Sequence, residues 1–374
     1  MRVLLHDTIT GEPLRELEFT ESSSWSTGVC RADEGTAILP GYTAESAGLA
    51  NLIVPLKTSI SMIRDDGICK AAGRVGIPEF GEDDDGDQTV SVAFKGPESL
   101  FEKRGVRPYP FGDLVDGAGF PATTFDTRIT GVDYGTMMKR LYQQSMAHPG
   151  GSIPVVFEPD RVGTREKGWA AIDGKQVQDA VEDIAHLDGG VEWSWVPRVD
   201  ENDRLSWALI TGRDNAPEIV SPFWHSWTNA GTEPDIRKLA GKISPEFMAS
   251  SVFFTGGKDQ DRVLISHRYD STLIDAGFPL VEVWDTSHST VSEQTTLDGW
   301  AQSRLNDGQA PLNLWSFEVR EERAVGLRSG DWCTLEVRNH WYIPDGEYSR
   351  RIVGVSGTAV EDWYGVTVAG MTGW

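Results

Sequence analysis

The segment Gly354-Val355-Ser356-Gly357 is the closest approach in this sequence to a serine nucleophile motif. A nucleophile elbow has the spacing Gly-x-Ser-x-Gly, which exposes the serine on a sharp turn from a strand to a helix. Here the second glycine follows the serine directly, so the motif is one residue short. We therefore predict a turn between two strands at this position and no serine nucleophile.

An acidic run, Glu82-Asp83-Asp84-Asp85-Gly86-Asp87, suggests a calcium loop. A twelve-residue calcium loop places glycine sixth and side-chain oxygens first and twelfth. With Gly86 as the sixth residue, Gly81 would be first and Val92 twelfth, and neither carries a carboxylate. The register fails, so the sequence favours a solvated hairpin loop over 79–87, with cation binding there left open as the alternative.

Phosphate-binding and zinc motifs are missing. Gly241-Lys242 is followed by Ile243, which excludes a phosphate loop, and neither HExxH nor a GxGxxG after a predicted strand occurs. The histidines have no metal-ligand spacing; they stand at positions 6, 148, 186, 225, 267, 288 and 340. We therefore predict no catalytic, cofactor-binding or metal-ligating residues and no enzymatic activity.

The cysteines indicate free thiols. They number three, lie far apart and lack CxxC spacing: Cys30, Cys69 and Cys333. An odd, scattered set favours small buried side chains in a reducing compartment over a disulfide framework or a structural zinc site.

Tryptophan supplies 14 residues, and its ring can stack on sugars. The segments Trp193–Trp207 and Trp224–Trp227 alternate with polar residues, which favours positions in a core or a subunit interface. Carbohydrate binding by exposed tryptophans such as Trp224 and Trp227 is the second hypothesis. A cell-wall hydrolase is the third, because the carboxylate pair of a glycosidase is recognised by its separation in space.

Length and charge limit the possible classes. The chain has 374 residues, 57 acidic and 34 basic, with a formal net charge of −23 and 39% hydrophobic residues. This length predicts two to four domains, and the apolar content excludes a disordered acidic tail. An acidic surface repels the phosphate backbone, so specific nucleic-acid binding is not expected.

The distribution of apolar residues bears on the cellular location of the protein. The apolar run Val3-Leu4-Leu5 is too short for the core of a signal peptide, and no stretch approaches the roughly 20 apolar residues of a membrane span. We expect a soluble protein that is made in the cytoplasm and has no membrane-spanning segment.

Periodicity places these residues on strands and a few helices. Val3–Ile9 and Leu14–Phe19 predict a hairpin, and a short helix should run from Pro97 to Arg104. Further strands are predicted at 36–39, 59–63, 68–72, 89–94, 191–195, 205–209, 314–320, 332–338, 351–355 and 364–369. Longer helices are predicted from the N-cap Asp133 to Ala147, over 175–187 and over 296–305.

The order of several segments resembles a known family. The segments are Leu14-Arg15-Glu16-Leu17, Ser24-Trp25-Ser26, Asp65-Asp66-Gly67, 94–104, Pro149-Gly150-Gly151, Gly163-Thr164-Arg165, 184–193, 327–332 and 351–356. This succession resembles the minor tail proteins of long-tailed actinobacterial phages, in the group called Gp37-like tail proteins. That group looks like part of the wider tail hub family, with the baseplate hubs of contractile phages and the late control D proteins.

The resemblance implies an α+β, mostly β fold with two small β-barrel domains, an α+β domain and an inserted fourth domain. The implied boundaries are 1–125 for the first barrel, 126–218 for the α+β domain, 219–245 plus 305–374 for the second barrel, and 246–304 for the insertion. The acidic loop 79–87 departs from the family pattern.

The resemblance also implies a function and partners. Three subunits would form a ring at the tail tip, located in the virion after assembly in the host cytoplasm. The ring would adapt a sixfold tube to a threefold tip and contact the distal tail protein or tail tube ring, the spike or fibre proteins and the tape measure protein. DNA would pass through its lumen, where carboxylates are expected to concentrate because they repel the phosphate backbone.

Overall fold

Strands make up 45% of the chain and helices 16%, which confirms the mostly β expectation. The computed structural model describes residues 1–41, 48–82, 86–110, 112–219, 221, 223–259, 262–286, 291, 293–359 and 362–370.

The first seven strands pair antiparallel, as alternating apolar residues predict. They are β1 (Arg2–Asp7), β2 (Pro13–Leu17), β3 (Ser24–Gly28), β4 (Glu34–Pro40), β5 (Thr58–Ile63), β6 (Cys69–Glu82) and β7 (Gln88–Lys95). The predicted hairpin is present, with Val3 opposite Leu17. In β7 the alternating Val92 and Phe94 are buried, as expected for one face of a half-buried strand.

The hairpin of β6 and β7 is longer than predicted. Strand pairing continues to Glu82 opposite Gln88, so residues 79–82 belong to β6 and only 83–87 connect the strands. Phe80 opposite Val90 is an aromatic–β-branched pair of the kind that stabilises a ladder, which explains why the strand extends into the acidic segment. Asp83, Asp84 and Asp85 lie outside the described residues.

Helices and short strands alternate in the middle of the chain. The elements are α1 (Glu98–Phe101), β8 (Thr127–Val132), α2 (Tyr134–Met146), β9 (Val155–Phe157), β10 (Arg165–Trp169), α3 (Val177–Ala185), β11 (Trp193–Val199) and β12 (Leu205–Thr211). Asp133 caps α2 as predicted, since its Oδ1 accepts from the Thr136 amide at 2.7 Å. The helix predicted from Pro97 to Arg104 is shorter, ending at Phe101.

The remaining elements begin after residue 223. They are β13 (Trp224–Thr228), β14 (Ile236–Ser244), β15 (Ser251–Asp259), β16 (Arg262–Tyr269), α4 (Thr272–Asp275), β17 (Glu282–Asp285), α5 (Gln294–Asp307), β18 (Leu312–Arg320), β19 (Trp332–Val337), β20 (Gly346–Thr358) and β21 (Trp363–Ala369). Helix α5 contacts β15 and β16 of the three-stranded sheet β16-β15-β17. Its inward side chains are those predicted: Leu297, Trp300, Ala301 and Leu305.

Strand β20 joins the two ends of the chain. It pairs with β19 over Gly346–Arg351, with β21 over Arg351–Ser356 and with β3 over Gly354–Thr358. The predicted turn at 354–357 is therefore wrong, because Gly354–Ser356 pair with strands on both sides and Gly357 pairs with Trp25 of β3. The period-two pattern of Ile352 and Val355 is interrupted by the register shift between Ile352 and Gly354.

The predicted pair of closed barrels is not observed among the described strands. The β1–β7 strands and the last six strands of the large sheet form a single 13-stranded sheet in which β19 branches from β20. The expectation is corrected because β3 and β20 pair with each other across the two halves. The large sheet surrounds one apolar core, and a second core fills the space among α2, α3, β11, β12 and α5.

Two glycines of β20 allow a matched test of this strand pairing. A Cβ at Gly357 would lie 2.8 Å from Cζ2 of Trp25, whereas one at Gly354 would meet nothing nearer than 3.6 Å. Since Trp25 is buried and cannot yield, we expect Gly357→Ala to lower the free energy of unfolding by about 1–3 kcal/mol. Gly354→Ala should leave it unchanged or slightly raised in urea titrations. Equal effects of both changes would contradict the described β3–β20 contact.

Candidate functional site

A cavity of about 150 Å³ lies where the three main parts of the chain meet. Its lining comes from β3 and β6, from β11 and β12, and from the segments before β13 and β19. It includes Trp25, Asp33, Lys70, Trp195, Ile219, Ser221, Arg328 and Asp331. Sequence spacing gives no sign of this site, because its residues are up to about 300 positions apart.

We call the region where β3 and β6, β11 and β12, and the segments before β13 and β19 meet the junction. A buried ion pair crosses it. The Nη2 of Arg351 on β20 donates to Oε2 of Glu192 at 2.6 Å, and both side chains are less than 10% exposed. The same Glu192 oxygen accepts from the Ile219 amide at 2.7 Å. Burial raises the pKa of Glu192 to about 6, and the guanidinium of Arg351 opposes that rise. The pair fixes β20 against the start of β11.

Two carboxyl groups are buried near the cavity. Asp33 and Glu98 are 4% and 1% exposed, and both oxygens of Glu98 lack a hydrogen-bond partner among the described residues. Desolvation raises the pKa of each group well above its usual range, and the charge of Asp33 adds to the rise in the pKa of Glu98. The geometry therefore favours the protonated forms.

Ser221, Asp331 and His225 form a third polar group. The order of their hydrogen bonds differs from that of a Ser-His-Asp triad. The Ser221 hydroxyl donates to Oδ1 of Asp331, and Nε2 of His225 contacts Oδ2 at 3.0 Å. In a triad the histidine must reach the serine hydroxyl to take its proton. Here the aspartate lies between them and also accepts from the Arg328 amide at 2.9 Å, so the group connects β13 and the segment before it to the loop that precedes β19.

The tryptophans divide between core and surface. Trp193, Trp195, Trp207 and Trp227 are at most 2% exposed, so the expectation of core positions is confirmed for them and a sugar-stacking role for Trp227 is wrong. Trp224 is 59% exposed and stacks on Trp332 with ring centres 5.7 Å apart.

Sequence reasoning did not single out the most exposed aromatic residues. Trp341 and Tyr342 are 89% and 67% exposed between β19 and β20, and Phe80 is 88% exposed on β6. On β17, Trp284 is 63% exposed and stacks on Phe253 at 4.1 Å. The sequence contains three adjacent rings at His340-Trp341-Tyr342, and this run is the signal that could have identified Trp341 and Tyr342.

The three cysteines are free thiols in buried or half-buried positions. Cys30, Cys69 and Cys333 are free, and burial raises the pKa of each. No three His, Cys, Asp or Glu side chains come together as metal ligands within the described ranges. None of the described helices combines the length and apolar composition needed to cross a membrane.

Solved structures share this arrangement. The tail protein from Neisseria meningitidis MC58 is 12% identical, with 99% of this chain and 97% of that chain covered at a TM-score of 0.57. This chain has the fold of phage tail proteins. The 43 kDa tail protein of prophage MuSo2 from Shewanella oneidensis gives the same identity and TM-score, with 99% and 98% covered.

A secretion component has a related fold. The E. coli c3393 protein, a component of the type VI secretion system with structural similarity to T4 phage tail proteins gp27 and gp5, is 8% identical at a TM-score of 0.50. The match covers 99% of this chain and 73% of that one. No protein-family model matches the sequence, and no curated protein matches it.

The buried ion pair predicts a pH-dependent cost of removing Arg351. Because burial raises the folded-state pKa of Glu192 to about 6, above the usual 4.5, the stability contributed by its protonated form is full below pH 4.5 and is lost as pH rises through 6. In Arg351→Met this pKa should rise further, because Arg351 lowers it. We expect a loss of about 3–5 kcal/mol at pH 8 and a smaller loss at pH 5, measured by urea unfolding.

Two further variants serve as controls for that experiment. Glu218 is the half-exposed second partner of Arg351, so Glu218→Gln should cost less than about 1 kcal/mol. Adding Glu192→Gln to Arg351→Met should recover much of the loss at pH 8. A loss of the same size at both pH values would show that charge burial is not its cause.

Proposed function

We propose that this chain is a structural hub protein at the distal end of a phage-type tail and that it has no catalytic role. The observation that carries the proposal is the match over at least 97% of the length of two phage tail proteins. The Ser221-Asp331-His225 geometry supports a connecting role for the best-placed polar group. Within this proposal the chain resembles the Gp37-like group of tail proteins.

The proposed assembly is a homotrimeric ring. Each subunit would contribute two β units, 1–125 and 219–245 plus 305–374, so that three subunits present six units to a sixfold tube. The pairing of β3 with β20 supports this division, because it holds the two β units side by side in one sheet. The α+β unit 126–218 and the inserted unit 246–304 would lie outside this ring.

Exposed aromatic groups supply contact surfaces for the proposed partners. Trp341 and Tyr342 project together between two strands, and Phe80 with Ile77 projects from the hairpin of β6 and β7. Apolar groups of this size in water are typical of protein–protein contacts. The proposed partners are other hub subunits, the distal tail protein or tube ring, the spike or fibre proteins and the tape measure protein.

The net charge has a role in the proposed channel. With 57 acidic and 34 basic residues, the ring would carry −69 from three chains of −23 each, which disfavours retention of DNA. We propose that the carboxylates face the lumen and that DNA passes without specific binding. Location at the tail tip of the virion follows from the same proposal.

The location can be tested by labelling. Tails from cells that produce this chain with an epitope tag should bind gold-labelled antibody at the distal end only. Label along the tube or on lateral fibres would overturn the proposal, and so would purified tails that carry no label. A cleared band on a zymogram of host cell wall would contradict the absence of a catalytic role.

Trp341 provides a test of assembly that is separate from folding. Because its side chain is 89% exposed, Trp341→Ser should change the free energy of unfolding by less than about 0.5 kcal/mol. It should reduce incorporation into tails at least severalfold, measured by quantitative blotting of purified particles. The matched change Trp227→Ser removes a buried ring and should instead lower stability by about 3–5 kcal/mol. Normal incorporation of the Trp341 variant would remove this surface from the proposed contacts.

A further inference from the structure

The cavity at the junction has an unusual cationic side. Lys70 on β6 lines it and is 7% exposed, yet its Nζ has no hydrogen-bond acceptor among the described residues. Its nearest recorded contact is the ring of Tyr364, with Nζ 5.0 Å from the ring centre. The Nζ atom itself is not fully buried, so a molecule in the cavity can reach the ammonium group. An ammonium group that is largely removed from water is stabilised when an anion pairs with it.

Two arginines near Lys70 also have unused donors. Arg328 lines the same cavity, is exposed, and its guanidinium has no acceptor among the described side chains. Arg64 uses Nε on Asp66 and Glu321 at 3.2 and 3.0 Å, whereas its buried Nη1 has no partner. Unused donors on all three side chains therefore lie in one region of a chain whose net charge is negative.

We propose that this cavity binds an oxyanion, a phosphate or a carboxylate, with Lys70 as its main charge partner and Arg328 at its entrance. Thr27 and Ser329 line the same space, and because their hydroxyls hydrogen-bond each other at 3.1 Å, one of the two protons remains available to an anion. The volume of about 150 Å³ holds several waters, so a small oxyanion group fits. The proposal is independent of the tail-hub function.

The acidic side chains around the cavity are compatible with an anion. Asp331 is fully engaged by Ser221, His225 and the Arg328 amide. Asp33 is buried, and desolvation raises its pKa so that the neutral acid is favoured. The charges that act on Lys70 are Arg64 and Arg328, which lower its pKa, and Asp66 and Glu321, which raise it; burial has the largest effect and the result is a pKa of about 8.

The first test is thermal unfolding with a free oxyanion and with a tethered carboxylate. The probes are inorganic phosphate and a glutamate-rich peptide, each against chloride at constant ionic strength. We expect at least one probe to raise the Tm of the wild-type protein and to lose about tenfold or more in affinity with Lys70→Met. The probe that binds identifies the source as a free ion or an acidic segment of another chain.

A matched variant controls for loss of a surface charge. Lys57 is exposed and does not line the cavity, so Lys57→Met should respond to the probe as the wild-type protein does. Without a probe, Lys70→Met should be at least as stable as the wild type, because it replaces a largely buried amine that has no hydrogen-bond acceptor among the described residues with an apolar side chain. If neither probe raises the Tm, or if Lys70→Met responds as the wild type does, the proposal is wrong.

Proton uptake provides a readout that a purely structural lysine would not give. With a pKa of about 8, Lys70 is half neutral at pH 8, and a bound anion favours its charged form. The probe that raises the Tm is titrated into the protein by calorimetry in two buffers of different ionisation enthalpy. Its binding should be accompanied by proton uptake at pH 8, by much less uptake at pH 6, and by none with Lys70→Met. Uptake that persists in Lys70→Met would contradict the assignment.

Discussion

The pairing of β3 with β20 is the contact on which the rest of the structure depends. Five residue pairs, from Gly354 opposite Gly28 to Thr358 opposite Ser24, connect strands more than 300 residues apart. Without them the β1–β7 strands and the last strands would form separate sheets. Because a ladder fixes both register and face, this pairing also sets where Trp25 and Arg351 lie relative to the middle of the chain.

Polar groups complete the junction that this pairing creates. Arg351 and Glu192 meet between two apolar cores, where an ion pair gives little net stability but penalises any shift that separates the charges. The ion pair therefore fixes the orientation of β20 relative to β11 more than it strengthens the attraction between them. In the proposed hub, such a contact would keep the shape of the subunit fixed while partners attach on several sides.

The sequence predicted local structure better than it predicted connections. Alternation gave the hairpin at Val3 and Leu17, and helical spacing gave the buried face of α5, because these patterns depend on near neighbours. Gly354 and Gly357 suggest a turn at 354–357, whereas the structure has a strand there, in which the missing side chain of Gly357 leaves room for Trp25. Nothing local marks Lys70 or Arg351 as junction residues, since their environment is assembled from distant segments.

In the proposed function, three copies of this chain form the ring at the end of a tail. Electron cryo-microscopy of the purified tail tip would show this ring. We expect three copies around the tail axis, each docked below the tube with carboxylates facing the lumen. Copies away from the axis, or an evenly acidic exterior around a neutral lumen, would contradict it.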